Sequence, residues 1–333
     1  MSAGDAGGAV LAVGSAGNKR KARTMMETMA LVVEGLTKSY GDVRALRGVD
    51  LEVRAGEIVG FLGPNGAGKT TTIRCLLDLI RPDSGSIRVF GIDPQADPVA
   101  VCQQVGYLPG ELALEPNQTA AEILRYFSRL RGNRVDWAFV RTLAHRLELD
   151  LNLTIKNMSK GNKQKVAVVQ ALMARPPLLL LDEPTSGLDP LMQQEVYRLI
   201  KEAQAGGATV FFSSHIIAEV ETIAERVAII RQGVIVEEAE PEALVNIAVR
   251  RLRVRFQEPV EVQPLAAVPG VTILSQDDSV VTVQVAGEMD GLVKALAAYP
   301  VSDLETERPS LEEIFLSYYE ATGDEQPQIE EAV

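Results

Sequence analysis

The chain has 333 residues, enough for one large domain or two of ordinary size. It is 46% hydrophobic and 23% charged, with 17 prolines and 27 glycines, which excludes a mostly disordered, collagenous or coiled-coil chain. A formal net charge of −12 counts against a protein that coats nucleic acid; two cysteines (Cys75, Cys102) and two histidines (His145, His215) exclude a disulfide scaffold and a Cys-rich or multi-histidine metal site.

Residues 1–29 are rich in Gly, Ala and charge and are expected to form a disordered tail. Lys19, Arg20, Lys21 and Arg23 read as solvated charges there, with a contact to acidic lipid or nucleic acid as the alternative. Glycines interrupt the apolar stretch Ala9–Val13, so no secretory leader is expected. No apolar run approaches the ~18 residues of a membrane span. The densest, Leu178–Leu181, is strand-sized. The protein is therefore expected to stay in the cytosol.

Leu31–Val33 reads as a strand. Val49, Leu51 and Val53 alternate with Asp50, Glu52 and Arg54, the pattern of a half-buried strand. Ala55-Gly56 turns the chain into a buried strand, Glu57–Leu62, and a Gly-rich loop follows. Asp83-Ser84-Gly85 predicts a hairpin turn before Ser86–Phe90. Residues 119–148 read as helical, with apolar stripes Ala121, Ile123, Leu124, Phe127 and Phe139, Leu143, Leu147. Strands Leu178–Leu181, Thr209–Phe212 and Val227–Ile230 then alternate with helices at 190–204 and 216–225, which is α/β organisation.

Composition shifts at 241–249. Beyond it the order is strand 250–256, helix 262–267, strand 271–275, strand 280–285, helix 288–298, strand 301–307 and helix 310–319. The order βαββαβ predicts a ferredoxin-like α+β module with a closing helix. The expected domains are a tail at 1–29, a main domain at 30–240, an accessory domain at 241–320 and an acidic tail at 321–333.

The segment Gly63-Pro64-Asn65-Gly66-Ala67-Gly68-Lys69-Thr70 matches G-x-x-x-x-G-K-[ST]. It lies between a predicted strand and a predicted helix, Thr71–Leu79, as the motif requires. Glycines allow a tight loop whose N–H groups face phosphate, and the helix N-terminus adds its dipole. Gly63 through Thr71 is thus the candidate phosphate-binding set. Lys69 can reach the β- and γ-phosphates, and the Thr70 hydroxyl can hold Mg²⁺. Leu178–Leu181 ends in Asp182 and Glu183. Asp182 suits the Mg²⁺ shell, and Glu183 suits polarisation of an attacking water.

With these two motifs the chain resembles the nucleotide-binding subunit of ABC transporters over roughly residues 31–235. Met158–Lys165 stands in the place of the family's LSGGQ signature. Ser159 and Gly161 match it, whereas Lys160 and Asn162 depart. In the family this segment closes on the opposite subunit's γ-phosphate. Ser186-Gly187-Leu188-Asp189 resembles the D-loop, and Asp189 with Pro190 would also start a helix. His215, after Ser213-Ser214, matches the switch histidine. Tyr40, 23 residues before Gly63, stands where the family stacks an aromatic on adenine, with a packed tyrosine as the alternative. The Q-loop position after Val105–Pro109 holds Gly110, and Glu111 either substitutes for the missing Gln at the metal or is a solvated loop residue. His145 reads as a surface or packing residue. Arg251, Arg253 and Arg255 share one strand face, read as solvated rather than as a lipid or partner site.

Pro309–Phe315 is similar to the ending of drug- and lipid-exporting ABC-2-type ATPases, including the daunorubicin-resistance class. The resemblance implies a P-loop ABC ATPase core with an antiparallel β subdomain and a helical subdomain, using ATP and Mg²⁺. It implies an ATPase that powers an exporter for drug-like, lipid or other cargo. The partners implied are a second copy of the chain and a separate ABC-2-type permease that carries most cargo contacts, with no nucleic acid. Its place would be cytoplasmic, peripheral on the inner face of the membrane. Two alternatives are a soluble ABC ATPase acting on ribosomes or DNA, and a nucleotide-binding regulator with little hydrolysis. The single phosphate loop and the short 69–158 gap weigh against the first; Gly110, Lys160 and Asn162 motivate the second.

Overall fold

The computed structural model describes residues 29–132, 135–241, 250–285 and 289–307. The basic run in 1–28, the helix expected at 310–319 with the Pro309–Phe315 motif, and the tail at 321–333 lie outside the described residues. The chain divides between Glu238 and Ala239 into two compact units.

The first unit opens with β1 (Met29–Tyr40), β2 (Val43–Arg54), β3 (Ile58–Leu62), α1 (Lys69–Leu76), β4 (Ser84–Val89), α2 (Pro98–Gln104) and β5 (Val105–Leu108). It continues with α3 (Ala120–Leu130), α4 (Trp137–Arg146), α5 (Lys160–Leu172), β6 (Leu178–Asp182), α6 (Pro190–Ala205), β7 (Thr209–Ser214), α7 (Ile217–Ile223), β8 (Arg226–Arg231) and β9 (Val234–Ala239).

Two sheets organise these elements. The smaller has the order β2-β1-β4 and is antiparallel. Along β2, Val49, Leu51 and Val53 are buried and Asp50, Glu52 and Arg54 exposed, as the alternation predicts. The hairpin expected at Asp83-Ser84-Gly85 is not formed. A helix, not a strand, precedes β4, whose partner is the distant β1. Asp83 instead bonds the Lys38 Nζ at 3.0 Å and the Ser39 N–H at 2.6 Å, so its turn-forming carboxylate serves a long-range junction.

The larger sheet has the order β5-β6-β7-β3-β8-β9. Its strands β5, β6, β7, β3 and β8 are parallel. Helices on its faces bury β3 and β6 completely, which is why both read as continuous apolar runs without alternation. Phe61 and Phe211 pack on neighbouring strands with ring centroids 5.2 Å apart. The C-terminal ends of β3, β6 and β7 lie side by side, so the loops that follow them emerge at one edge.

The helical stretch expected over 119–148 is two helices. Thr119 and Glu122 form a reciprocal capping box that starts α3. Asp136 starts α4 by accepting from the Ala138 N–H at 2.9 Å. Ion pairs from Arg146 to Glu195 and Glu202 tie α4 to α6.

The second unit contains β10 (Arg250–Phe256), α8 (Gln263–Ala266), β11 (Val271–Asp277), β12 (Val280–Val285), α9 (Asp290–Leu296) and β13 (Val301–Glu307). Its sheet has the order β11-β12-β10-β13, antiparallel throughout. It has its own core of Leu252, Val254, Phe256, Val281, Val283 and Leu292. Arg253 and Arg255 stand in register with Glu305 and Asp303 on β13, so the arginine row faces acids on the next strand.

Candidate active site

The loop between β3 and α1 is built by close contact. A Cβ on Gly63 would fall 2.4 Å from the Ile230 carbonyl oxygen, so only glycine lets the loop rest on β8. Gly68 has φ +114 and is the N-cap of α1, with no side-chain cap hydrogen bond. The first-turn N–H groups of α1 therefore lack the usual side-chain acceptor, which makes this helix end suited to an anion. Lys69 is buried and donates to the Gly63 oxygen at 2.5 Å and the Pro64 oxygen at 3.1 Å. Its ammonium thus lies within its own loop. Burial holds it below its ordinary range, against the opposing pull of Glu183 and Asp182. Thr70 and Thr71 follow in the first turn, partly exposed; Pro64 is partly exposed, Asn65 and Gly66 are exposed, and Ala67 is buried.

Asp182 ends β6, 1% exposed. Its Oδ1 accepts from the Ser213 hydroxyl at 2.5 Å, while Oδ2 is buried with no hydrogen-bond partner among the described residues. A buried, unpaired carboxylate oxygen is costly, and a cation is the group that would offset that cost. Glu183 follows with φ +51, held by its N–H donating to the Ser213 carbonyl at 3.2 Å. Its Oε1 lies 2.9 Å from Nδ1 of His215. That hydrogen bond holds Glu183 below the usual carboxylate range, against burial, and raises His215 above its ordinary value. Lys69 adds to the lowering of Glu183. Loop, carboxylates and histidine, read separately from the sequence, are thus brought together.

Ser159 caps α5 by accepting from the Asn162 N–H at 3.2 Å. Gly161 lies against the 186–189 loop, where a Cβ would stand 2.6 Å from the Gly187 oxygen. Asp189 caps α6 through the Leu191 and Met192 N–H groups, both at 3.1 Å. Gly110 lies over Asp182: a Cβ there would be 3.0 Å from the unpaired Oδ2. Glu111, the next residue, is exposed, and it is Gly110 that lies against Asp182. Tyr40 ends β1, 46% exposed, with the Lys38 ammonium 5.8 Å from its ring centre. His145 is exposed on α4, and Cys75 is buried. Cys102 is exposed.

Three contributors were not assigned from sequence. Ser213 bonds Asp182 and the Glu183 N–H. Gln164, 4% exposed, donates from Nε2 to the carbonyls of Glu183 and Pro184, each at 3.0 Å. Glu219 is buried beneath the His215 loop. A polar residue inside an apolar helical face is the signal that marks Gln164 and Glu219.

Residues 46–186 match the ABC transporter family, and residues 246–319 match the ATP-binding protein DrrA1-3-like C-terminal domain. The daunorubicin resistance ATP-binding protein DrrA3 of Streptomyces coeruleorubidus is 34% identical over 313 residues, covering 90% of this chain and 98% of that protein. The daunorubicin/doxorubicin resistance ATP-binding protein DrrA of Streptomyces peucetius is 34% identical over 307 residues, covering 87% and 92%. Among solved structures, the ATP-binding subunit of an ABC transporter is similar with a TM-score of 0.60 and 31% identity, over 65% of this chain and 92% of that one.

Proposed function

The chain belongs to the ABC transporter ATP-binding family and carries a DrrA-like C-terminal domain, and from that premise we propose that it binds and hydrolyses ATP to power an exporter. The observation that carries hydrolysis is the Glu183–His215 pair at 2.9 Å, beside a phosphate loop whose lysine is already buried.

In this reading Gly63–Thr71 holds the ATP phosphates. Lys69 exchanges its two carbonyl acceptors for β- and γ-phosphate oxygens, and Tyr40 stacks on adenine. The unpaired Asp182 oxygen and the Thr70 hydroxyl would hold Mg²⁺. Bound there, the ion would offset negative charge on the phosphate oxygens. Glu183 Oε1 or its geminal oxygen polarises the attacking water and takes its proton. His215 keeps that carboxylate ionised and oriented. Glu111, exposed on the same loop, is the neighbouring carboxylate that would serve the metal side in place of the missing Gln.

The capped tip of α5, with Ser159 and Gly161, is proposed to complete the site of a second copy. Membrane coupling falls to a separate ABC-2-type permease, with the chain at the inner face of the cell membrane: among the described residues no helix is long and apolar enough to cross a membrane. A cavity of about 1180 Å³ with the exposed apolar residues Leu79, Val99 and Leu130 borders Pro109, next to the glycine above Asp182. A permease segment seated there would feel the state of the site. Drug-like or lipid cargo is proposed from the resistance proteins among its relatives. In the second unit, the β-α-β-β-α-β order and the sheet order support a ferredoxin-like module.

The test is Glu183→Gln. Phosphate release should fall about 10²- to 10⁴-fold while ATP binding persists, and ATP should drive the variant into a stable dimer on size-exclusion chromatography. Hydrolysis near the wild-type rate would overturn the proposal.

A further inference from the structure

Glu219 lies in the first turn of α7, 4% exposed. Oε2 accepts from the Ser214 hydroxyl at 2.6 Å, and Oε1 accepts from the Thr185 hydroxyl in a very short contact. Hydroxyls from two separate segments thus supply the bonds that a buried carboxylate requires.

Each end of this cluster governs one member of the Glu183–His215 pair. Ser214 spends its single proton on Glu219, so its oxygen is left to accept from the Ile216 N–H at 2.9 Å. That bond spans His215 and fixes its backbone. Thr185 lies two residues beyond Glu183, in a turn closed by the Ser186 N–H on the Glu183 oxygen at 3.2 Å. Glu183 itself sits at φ +51, a left-handed conformation that is unfavourable for a residue with a Cβ. Such a conformation persists only where its surroundings hold it.

We propose that Glu219 is a positioning residue for hydrolysis, a buried clamp that sets the turn bearing Glu183 and the loop bearing His215 in mutual register. The inference rests on Glu183 being the water-polarising carboxylate. Glu219 acts through Thr185 and Ser214, whose hydroxyls its carboxylate accepts.

The full chain tests this with steady-state ATPase kinetics, nucleotide titration and thermal melting. Glu219→Gln replaces one acceptor with a donor at nearly unchanged volume, and Thr185→Val removes one hydroxyl. Each should lower kcat about tenfold or more, with KM and nucleotide affinity within about twofold. The double variant should be little worse than either single one, since both break one unit. Thr185→Ser, which restores the hydroxyl, should recover most of the turnover. Wild-type turnover in Glu219→Gln and Thr185→Val, beside an inactive Glu183→Gln, would overturn the clamp alone. Equal losses in Thr185→Ser and Thr185→Val would also overturn it, because packing would then explain the effect. An active Glu183→Gln would instead overturn the reading beneath it.

Discussion

His215 Nδ1 and Glu183 Oε1 stand 2.9 Å apart although 32 positions separate them in the chain. The parallel pairing of β6 with β7 makes this possible, since both residues follow adjacent strand ends. Each partner favours the other's charged form. Glu183 lies below its ordinary value near 4.5, so its share of stability is present above that pH and is lost as pH falls through the lowered value. His215 lies above its ordinary 6.5, so its share is full below that pH and fades as pH rises through the raised value. The pair therefore contributes most between about pH 4.5 and 6.5. In Glu183→Gln the opposing burial remains and the partner charge is gone, so His215 should titrate at lower pH than in wild type. Imidazole NMR titration reads this directly, with His145→Gln for assignment. An unchanged midpoint would mean that the two groups do not interact in solution.

Lys69→Ala should abolish tight nucleotide binding while leaving the fold intact. Among the described residues, the side chain's hydrogen bonds go to its own loop carbonyls at Gly63 and Pro64, so the large effect falls on the phosphates. Titration with a fluorescent ATP analogue should show affinity lower by at least about 10²-fold, as for a lost charge-assisted contact of a few kcal/mol. Retained affinity would move the site elsewhere.

At the Q-loop position the backbone matters more than the neighbouring side chain. A methyl group on Gly110 would lie 3.0 Å from Asp182 Oδ2, the oxygen proposed for the metal. Gly110→Ala should therefore raise the Mg²⁺ concentration needed for half-maximal hydrolysis. Glu111→Ala should change it less, since it is the Gly110 backbone that lies against Asp182. ATPase rates over a Mg²⁺ series compare the two, and the reverse ranking would assign Glu111 to the metal.

Gly63→Ala and Gly66→Ala should separate packing from backbone strain. The first drives a methyl group to 2.4 Å from the Ile230 oxygen and should cost about 1–3 kcal/mol. The second meets no atom within 4 Å but sits at φ +81, and should cost nearer 1 kcal/mol. Urea denaturation measures both.

The phosphate loop and the Asp182-Glu183 strand end were legible because their residues are contiguous and their context is local. The fully buried β3 and β6 announced themselves as unbroken apolar runs. Helix starts at Ser159 and Asp189 were legible for the same reason, as a cap acts within three residues. What escaped was non-local. Gln164 reaches Glu183 across 19 positions and Glu219 reaches Thr185 across 34, and no short window contains either pair. The Asp83 turn misled because a carboxylate that favours a hairpin serves a cross-sheet junction equally well.

The second unit's arginine row has a consequence for the outer rim of its sheet. β13 is an edge strand, and Asp303 and Glu305 lie on the face registered with Arg255 and Arg253. Among the described residues, those acids stand in register with arginines on the inner side, along β10. A second β13 arriving edge to edge would bring acid against acid, and a one-residue slip would carry Leu304 to the charged face. The arrangement that aligns the strand internally thus also repels recruitment of further strands, and guards the sheet against growing into an aggregate.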